Sequence, residues 1–198
     1  MGRRSDHNRS ELAEIIIAEG HRQIGEVGFA HFSAREVAKR IGYSIGTIYN
    51  VMGSYDALIL AINGRTLELW LDYLEARLGS LEVGADRLAR AIDAYFEFAI
   101  VHRHAWAALY DFRLPDDVEP PDHYRQKVRE IMAVVEHEVA SNLPAARRHE
   151  SPDLTRSLLA TVHGHCFFTI NGTFRMLDET NPLAAARARV SDALARYR

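Results

Sequence analysis

The segment from residue 33 to residue 53 has the sequence SAREVAKRIGYSIGTIYNVMG. Ser33 and Glu36 have the spacing of a capping box, in which each side chain accepts a hydrogen bond from a free backbone N–H group at the start of a helix. Gly42 permits the positive φ of a tight turn. We therefore predict a short helix that begins after Ser33 and ends just before Gly42.

A second short helix is predicted directly after this turn. Ser44 can cap a helix over residues 45–52, and Gly53 is placed to end it. Where the two helices cross, Ala38 supplies a small side chain and Ile48 an apolar one. Two short helices with such facing residues, joined by a turn of three or four residues, are typical of a helix-turn-helix.

The rest of the chain is also predicted to be helical, so the expected fold class is all-α. Ala, Leu, Glu and Arg dominate, and alternating runs of Val, Ile and Thr bounded by turn residues are absent. Helices are predicted at about residues 9–27, 34–41, 45–52, 55–78, 86–101, 104–112, 122–142, 152–177 and 182–197. We expect a head with the helix-turn-helix over residues 1–54 and a larger helical domain over residues 55–198.

Composition limits the class of protein. The chain has 198 residues, of which 47% are hydrophobic and 26% charged, as expected for a soluble globular protein. No stretch approaches the roughly 18 uncharged apolar residues of a membrane-spanning helix, and the N-terminus does not resemble a secretory signal. We therefore predict a cytoplasmic protein with no membrane partner. The net charge is −3, but residues 1–55 carry one more basic than acidic residue.

No pattern predicts a cofactor or a metal site. Cys166 is the only cysteine, which excludes an intrachain disulfide framework and zinc modules built from CxxC pairs. His163 and His165 are two residues apart, so on a helix they point in different directions and cannot chelate one ion. No arrangement of nucleophile, acid and base stands out, and we do not expect an enzyme.

Residues 9–62 resemble the DNA-binding domain of the TetR family of bacterial regulators. The motifs that carry the resemblance are FSAREVAKRIGYS at residues 32–44, IGTIYNVM at residues 45–52 and DAL at residues 56–58. The resemblance implies a homodimer that binds palindromic double-stranded operator DNA and is released by a small-molecule effector.

By this resemblance, one face of the second short helix lies in the major groove. The residues implied to contact DNA are Arg35, Ser44, Ile45, Gly46, Thr47, Tyr49, Asn50 and Tyr55. The hydroxyls of Thr47 and Tyr49 can donate to phosphates, and Gly46 allows close approach of the backbone. Asn50 can read adenine, and Ile45 can contact a thymine methyl group.

Two features modify this picture. Tyr55 stands where the family often has a phosphate-binding lysine, and one fewer charge lowers the salt dependence of DNA binding by about one unit of slope. Arg3, Arg4 and Arg9 are interpreted as a flexible basic arm that adds attraction independent of DNA sequence.

The larger domain is expected to hold the effector. The residues predicted to bind it are Trp70, Tyr73, Phe96, Trp106, Tyr110, His163 and Phe167, because aromatic side chains line ligand pockets in helical bundles. The alternative is that most of these side chains only fill the core. A lining of this kind would suit a hydrophobic or aromatic effector.

The last two predicted helices carry so much apolar surface that a partner is expected to cover part of it. The resemblance implies that they form a symmetric homodimer interface; the alternative is a monomer that folds them back on itself. For function, the expectation is a ligand-responsive repressor. The alternatives are a small-molecule-binding helical protein whose head is a non-DNA interaction module, and a helical-bundle enzyme.

Overall fold

The computed structural model of the protein describes residues 8–79 and 81–197. Within these ranges all regular secondary structure is helical, which confirms the predicted all-α fold. Short 3-10 turns lie at Phe29–His31 and Ala145–Glu150. The α-helices are α1 (Arg9–Val27), α2 (Ala34–Arg40), α3 (Ile45–Met52), α4 (Tyr55–Leu78), α5 (Ala85–Val101), α6 (Arg103–Asp111), α7 (Asp122–Ser141), α8 (Ser151–Ile170), α9 (Thr173–Met176) and α10 (Pro182–Ala195).

Helix α1 begins at a complete capping box. The backbone N–H of Glu11 donates to the Asn8 side chain over 2.9 Å, and the Asn8 N–H donates to the Glu11 carboxylate over 3.0 Å. The helix ends at Gly28, whose φ of 77° lies in the left-handed region that favours glycine. Both ends of α1 are therefore fixed by local residue chemistry.

The capping box predicted for α2 is only half formed. Ser33 accepts a hydrogen bond from the Glu36 N–H over 3.3 Å, but the Ser33 N–H donates to the Gln23 side chain over 2.8 Å. The Glu36 carboxylate instead binds Arg40 over 3.2 Å. Gln23 is buried, so a contact from α1 replaces the local one that the sequence pattern suggested.

The first compact unit contains more than the three short helices. Among the described residues, it comprises the chain from residue 8 to Leu69 together with His102–Lys127. Leu58, Ile59 and Ile62 of α4 are at most 1% exposed and lie in the same apolar cluster as the buried side chains of α1 to α3. This core therefore extends into α4, because these three side chains complete it.

The second compact unit comprises Trp70–Val101 and the residues from Val128 onward. Its core is built from α5, α8 and α10, with Leu158, Val162 and Val190 buried. The predicted single helix over 152–177 is wrong in one respect, because α8 ends at Ile170 and α9 follows. Gly172 has a φ of 78° there, a conformation that does not continue a right-handed helix.

No single helix in the described ranges is long and apolar enough to cross a membrane. The pair α3 and α4 meets that test only when the two are taken together, with a bend of 73° between them.

Candidate nucleic-acid interface and ligand cavity

The turn between α2 and α3 has the conformation that the sequence predicts. Gly42 has a φ of 78°, and the Tyr43 N–H donates to the Ala38 carbonyl over 2.9 Å. Val37 and Ile48 are fully buried at the crossing of the two helices. The apolar residues of both helices thus point inward, which leaves the other side of α3 for an external contact.

The outward side of α3 carries most of the predicted DNA-contacting residues. Ser44, Gly46, Tyr49 and Asn50 are exposed, while Ile45 and Thr47 are half-buried; in the flanking helices, Arg35 and Tyr55 are exposed as well. A Cβ atom added at Gly46 would meet only the Ser44 hydroxyl, at 3.6 Å. Packing within the chain therefore does not require glycine at this position.

Ser44 and Thr47 form a small hydrogen-bonded group at the start of α3. The Thr47 N–H donates to the Ser44 Oγ atom over 3.1 Å, and the two hydroxyl oxygens are 2.9 Å apart. Since each hydroxyl can donate once and accept twice, both keep capacity for a further contact. These hydrogen bonds fix the direction of the half-exposed Thr47 side chain at the N-terminal end of α3.

Tyr55 lies at the first position of α4 with 39% of its surface exposed. Its ring packs beside that of Phe32, with centroids 6.2 Å apart. Burial of part of the side chain, with the neighbouring Tyr49 and Asp56, raises the pKa of the Tyr55 hydroxyl. The group is therefore protonated at neutral pH and can donate a hydrogen bond.

Arg40 of α2 joins that helix to α1 through Glu19 and Glu26, and it also binds Glu36 within α2. Its guanidinium donates to Glu26 over 3.0 Å, to Glu36 over 3.2 Å and to Glu19 over 3.3 Å. Hydrogen bonds to Glu26 and Glu36 raise the pKa of Arg40. The hydrogen bond from Arg22 is the largest of several effects that lower the pKa of Glu19. Arg40 is thus occupied in holding α2 against α1.

Arg9 does not belong to a flexible arm. It is the first residue of α1, and its guanidinium donates to the carbonyls of Asn50 over 3.1 Å and Val51 over 3.3 Å, near the C-terminal end of α3. A cation is stabilising at that end of a helix. Arg3 and Arg4 lie outside the described residues.

The second compact unit contains an apolar cavity of about 50 Å³. All of its lining residues are aliphatic or aromatic, and they come from α4, α5, α7, α8 and α10. They are Trp70, Leu74, Leu88, Ala91, Ile92, Tyr95, Val135, Val139, Leu158, Leu159, Val162 and Val190. Most were not singled out from the sequence, because aliphatic side chains at helical spacing give no signal that separates a cavity wall from a filled core.

The predicted effector-binding residues are spread over several places. Trp70 lines the apolar cavity, and His163 hydrogen-bonds through Nδ1 to the hydroxyl of Tyr95, a lining residue, over 2.9 Å. Burial lowers the pKa of His163, which favours its neutral form. Tyr73 donates to Glu97 over 2.8 Å and packs against Phe98.

The remaining predicted residues do not line this cavity. Phe96 is buried at 4% exposure, and Phe167 is exposed at 47%. Trp106 and Tyr110 belong to α6, which is part of the first compact unit. Of the predicted residues, Trp70 therefore lines the cavity, and His163 contacts the lining residue Tyr95 without lining the cavity itself.

Within the described ranges, no group of three or more His, Cys, Asp or Glu side chains is arranged to hold a metal ion. Cys166 is fully buried, and burial raises the pKa of its thiol to about 12.

Comparison with protein families gives two matches. Residues 16–62 match the model described as "Bacterial regulatory proteins, tetR family". Residues 88–192 match the model described as "Tetracyclin repressor-like, C-terminal domain", which alone spans more than half of the chain. Among curated proteins, no significant match is found.

Solved structures of similar fold cover nearly the whole chain. A protein of unknown function from Rhodococcus sp. RHA1 has a TM-score of 0.74 at 20% identity, covering 98% of this chain and 97% of its own. The multidrug binding protein EbrR, solved with imidazole, has a TM-score of 0.65 at 20% identity, with coverage of 95% and 96%. A TetR-like transcriptional regulator from Rhodococcus sp. RHA1 has a TM-score of 0.60 at 16% identity, with coverage of 96% and 97%. At these identities the likeness concerns the fold.

Proposed function

Because the chain belongs to the TetR family of bacterial transcriptional regulators, we propose that it is a ligand-responsive repressor. In this proposal a homodimer binds palindromic operator DNA in the bacterial cytoplasm, and a small-molecule effector releases it. The observation that carries the proposal is the outward face of α3, where Gly46, Tyr49 and Asn50 are exposed and where packing within the chain does not require glycine at residue 46.

On DNA, this face combines attachment to phosphates with reading of bases. Tyr49 and Thr47 donate hydroxyl hydrogen bonds to phosphates, and exposed Arg35 adds a charged contact. In this proposal Asn50 pairs with adenine, and the part of the Ile45 side chain that the core leaves exposed meets a thymine methyl group. Arg9 contributes by holding the carbonyl end of α3 rather than by binding phosphate.

The proposed dimer interface uses the end of α8 and the segment after it. Phe167 and Phe168 are 47% and 40% exposed, and Met176 and Leu177 are 78% and 62% exposed. Exposed apolar side chains this close together commonly mark an interaction surface. By contrast Leu154, Leu158 and Val162, nearer the start of α8, are buried within their own chain. The residues that would meet a second copy are therefore the exposed aromatic and aliphatic ones.

The effector is proposed to enter the apolar cavity lined by Trp70. A volume of about 50 Å³ is far below that of sites for drug-sized ligands, which is roughly 300–1,000 Å³. An effector can bind only if the walls move apart, so it binds the moved state better than the observed one. Trp70 and Leu74 belong to α4, the same helix whose first turn follows α3, and this continuity is the proposed route to the head.

The apolar walls favour a hydrophobic or aromatic effector with little charge. The Tyr95 hydroxyl and neutral His163 form a hydrogen-bonded pair behind the wall, which one polar group of the effector could join. EbrR is a multidrug binding protein, and a cavity lined mainly by aliphatic side chains is compatible with loose chemical selectivity.

The decisive experiment is selection of genomic DNA fragments by the purified protein, followed by titration of the best fragment. Tyr49→Ala and Thr47→Ala should weaken binding at least tenfold while leaving the melting temperature nearly unchanged. His31→Ala, an exposed site outside α2 and α3, is the control and should bind normally. If no palindromic fragment is enriched, or if both α3 variants bind as well as the parent, the head is an interaction module of another kind.

Effector release is tested separately. Compounds are screened for a rise in melting temperature, and each hit is added to the protein–operator complex. A saturating hit should lower operator affinity, because coupling between two sites changes both affinities by the same factor. Unchanged affinity at saturation would contradict the switching mechanism. Ala91→Phe, which fills the cavity, should abolish the response.

A further inference from the structure

A second cavity lies within the first compact unit, between α4, α6, the segment 112–121 and the start of α7. Its volume of about 340 Å³ is several times that of the apolar cavity and falls within the range of small-molecule sites. Its walls are mixed in character. Leu60, Phe112 and Tyr124 present apolar surface, while Asn63 and Asp116 present polar groups.

Asn63 is the most informative of these wall residues. It is 1% exposed, and its Nδ2 atom donates to the Ala108 carbonyl of α6 over 3.2 Å. Its Oδ1 atom is buried and accepts no hydrogen bond from any described residue. A buried acceptor without a donor costs free energy, so a position like this calls for a partner. Because Asn63 belongs to the cavity wall, a donor bound there lies next to the side chain that carries this acceptor.

The charge and the aromatic groups of the walls narrow the class of ligand. Asp116 is exposed at the cavity, and no lining residue carries a positive charge. The rings of Phe112 and Tyr124 are part of the wall, and aromatic faces attract cations. Burial raises the pKa of Tyr124, which keeps its ring neutral at physiological pH. A positively charged N–H donor with an apolar body matches the chemistry of these wall residues.

We propose that this α4–α6 cavity is a second binding site, for a small organic cation whose ammonium or amidine group faces Asn63 and Asp116. It differs in place and in chemistry from the apolar cavity lined by Trp70. The ligand would contact α4 and α6, and α6 is tied to α1 by His104, whose Nδ1 lies 2.9 Å from the Gly25 carbonyl. Binding at this site acts on the compact unit that contains the recognition helix.

The test uses benzylamine as the cation and benzyl alcohol as a neutral donor of the same shape, each titrated calorimetrically into the full chain. Asp116→Asn should weaken benzylamine binding by about two- to fivefold, the range for an exposed charge pair, and leave benzyl alcohol unchanged. Asn63→Leu should weaken both by about two- to tenfold, because it removes the acceptor.

Matched controls exist for both variants. Asp117→Asn removes the neighbouring exposed carboxylate, which does not line the cavity. Thr66→Val removes a buried hydroxyl one turn along α4, which also has no partner among the described residues and lies outside the cavity wall. Neither control should change benzylamine binding. If Asn63→Leu does not fold, Leu109→Trp, which fills the cavity from α6, replaces it and should abolish binding.

Three results would overturn the proposal. The first is absence of saturable benzylamine binding, and the second is equal loss in Asp116→Asn and Asp117→Asn. The third is loss of benzylamine binding in Ala91→Phe but not in Leu109→Trp, which would place the ligand in the apolar cavity. None of these measurements uses DNA, so they stand or fall independently of the proposed repressor function.

Discussion

Gly20 allows α1 to lie unusually close to α4, and replacing it provides a quantitative test of the head's packing. A Cβ atom at residue 20 would lie 2.4 Å from Cδ1 and 3.0 Å from Cγ1 of Ile62. Non-bonded carbon atoms prefer about 3.5–4.0 Å. Ile62 is 1% exposed, so its side chain has little space into which it can retreat.

The magnitude follows from two opposing effects. Forcing a methyl group into a packed core costs about 1–3 kcal/mol. Alanine in place of glycine inside a helix returns about 0.8–1 kcal/mol. Gly20→Ala should therefore lower the free energy of unfolding by up to about 2 kcal/mol, which for a chain of this size is a fall in melting temperature of up to about 8 °C.

Gly25→Ala is the matched control in the same helix. Residue 25 is exposed, and a Cβ atom there meets nothing within 4 Å. This variant should be more stable than the parent by about 1 kcal/mol. The two variants should thus differ by about 1–3 kcal/mol, the cost of the contact alone.

The assay is thermal and urea unfolding at one fixed protein concentration, since a dimer makes stability depend on concentration. Adding Ile62→Val, which removes the Cδ1 atom, should reduce the cost of Gly20→Ala by about 1 kcal/mol in a double-mutant cycle. If Gly20→Ala proves as stable as Gly25→Ala, or if Ile62→Val gives no relief, the close approach of α1 and α4 does not constrain the head.

Three further predictions concern single side chains. Arg9→Ala should lower the melting temperature but leave the salt dependence of DNA binding almost unchanged, because the Arg9 guanidinium binds carbonyls of α3. Arg35→Ala should instead reduce the slope of log affinity against log salt by about 0.9. Equal slopes for the two variants would contradict these roles. Native Cys166 should resist iodoacetamide at pH 8 and react only on unfolding, since burial raises its pKa to about 12; intact-mass measurement of fast native alkylation would refute this. Burial, with the charges of His102 and Arg65, lowers the pKa of His21 below its ordinary 6.5. The unfolded chain therefore binds a proton more readily, and the stability of the fold should decrease as the pH drops below about 6.5. His21→Gln should reduce this decrease in melting scans from pH 7.5 to 5, and an unchanged dependence of melting temperature on pH would contradict the role of His21.

Much of the head follows from local sequence chemistry. Residues 45–52 form α3 as expected, because Ser44 caps the helix and Gly53 ends it. Gly42 adopts the positive φ that the turn needs. These features depend on residues within a few positions of one another, and so can be predicted from short segments of the chain. The exposed face of α3 follows in turn, because burial of Ile48 fixes which side of the helix points outward.

The ligand sites could not be located in the same way. Aromatic residues were the available signal, yet Trp106 and Phe96 lie away from the apolar cavity and its walls are mostly aliphatic. Asn63 gives no sign in the sequence that its oxygen will be buried without a partner. Whether a side chain lines a cavity depends on gaps between helices that are distant in sequence.

The amino-acid sequence by itself determined the all-helical class, the two short helices around Gly42 with the Ser44 cap of α3, and the outward face of α3, because hydrogen bonding at helix ends and helical periodicity act over a few residues. Tertiary structure alone decided that α4 and α6 join the core of the head, that Arg9 binds the end of α3, and that Gly20 meets Ile62. The last two contacts join positions more than 40 residues apart in sequence, where only the packing of whole helices determines which side chains meet.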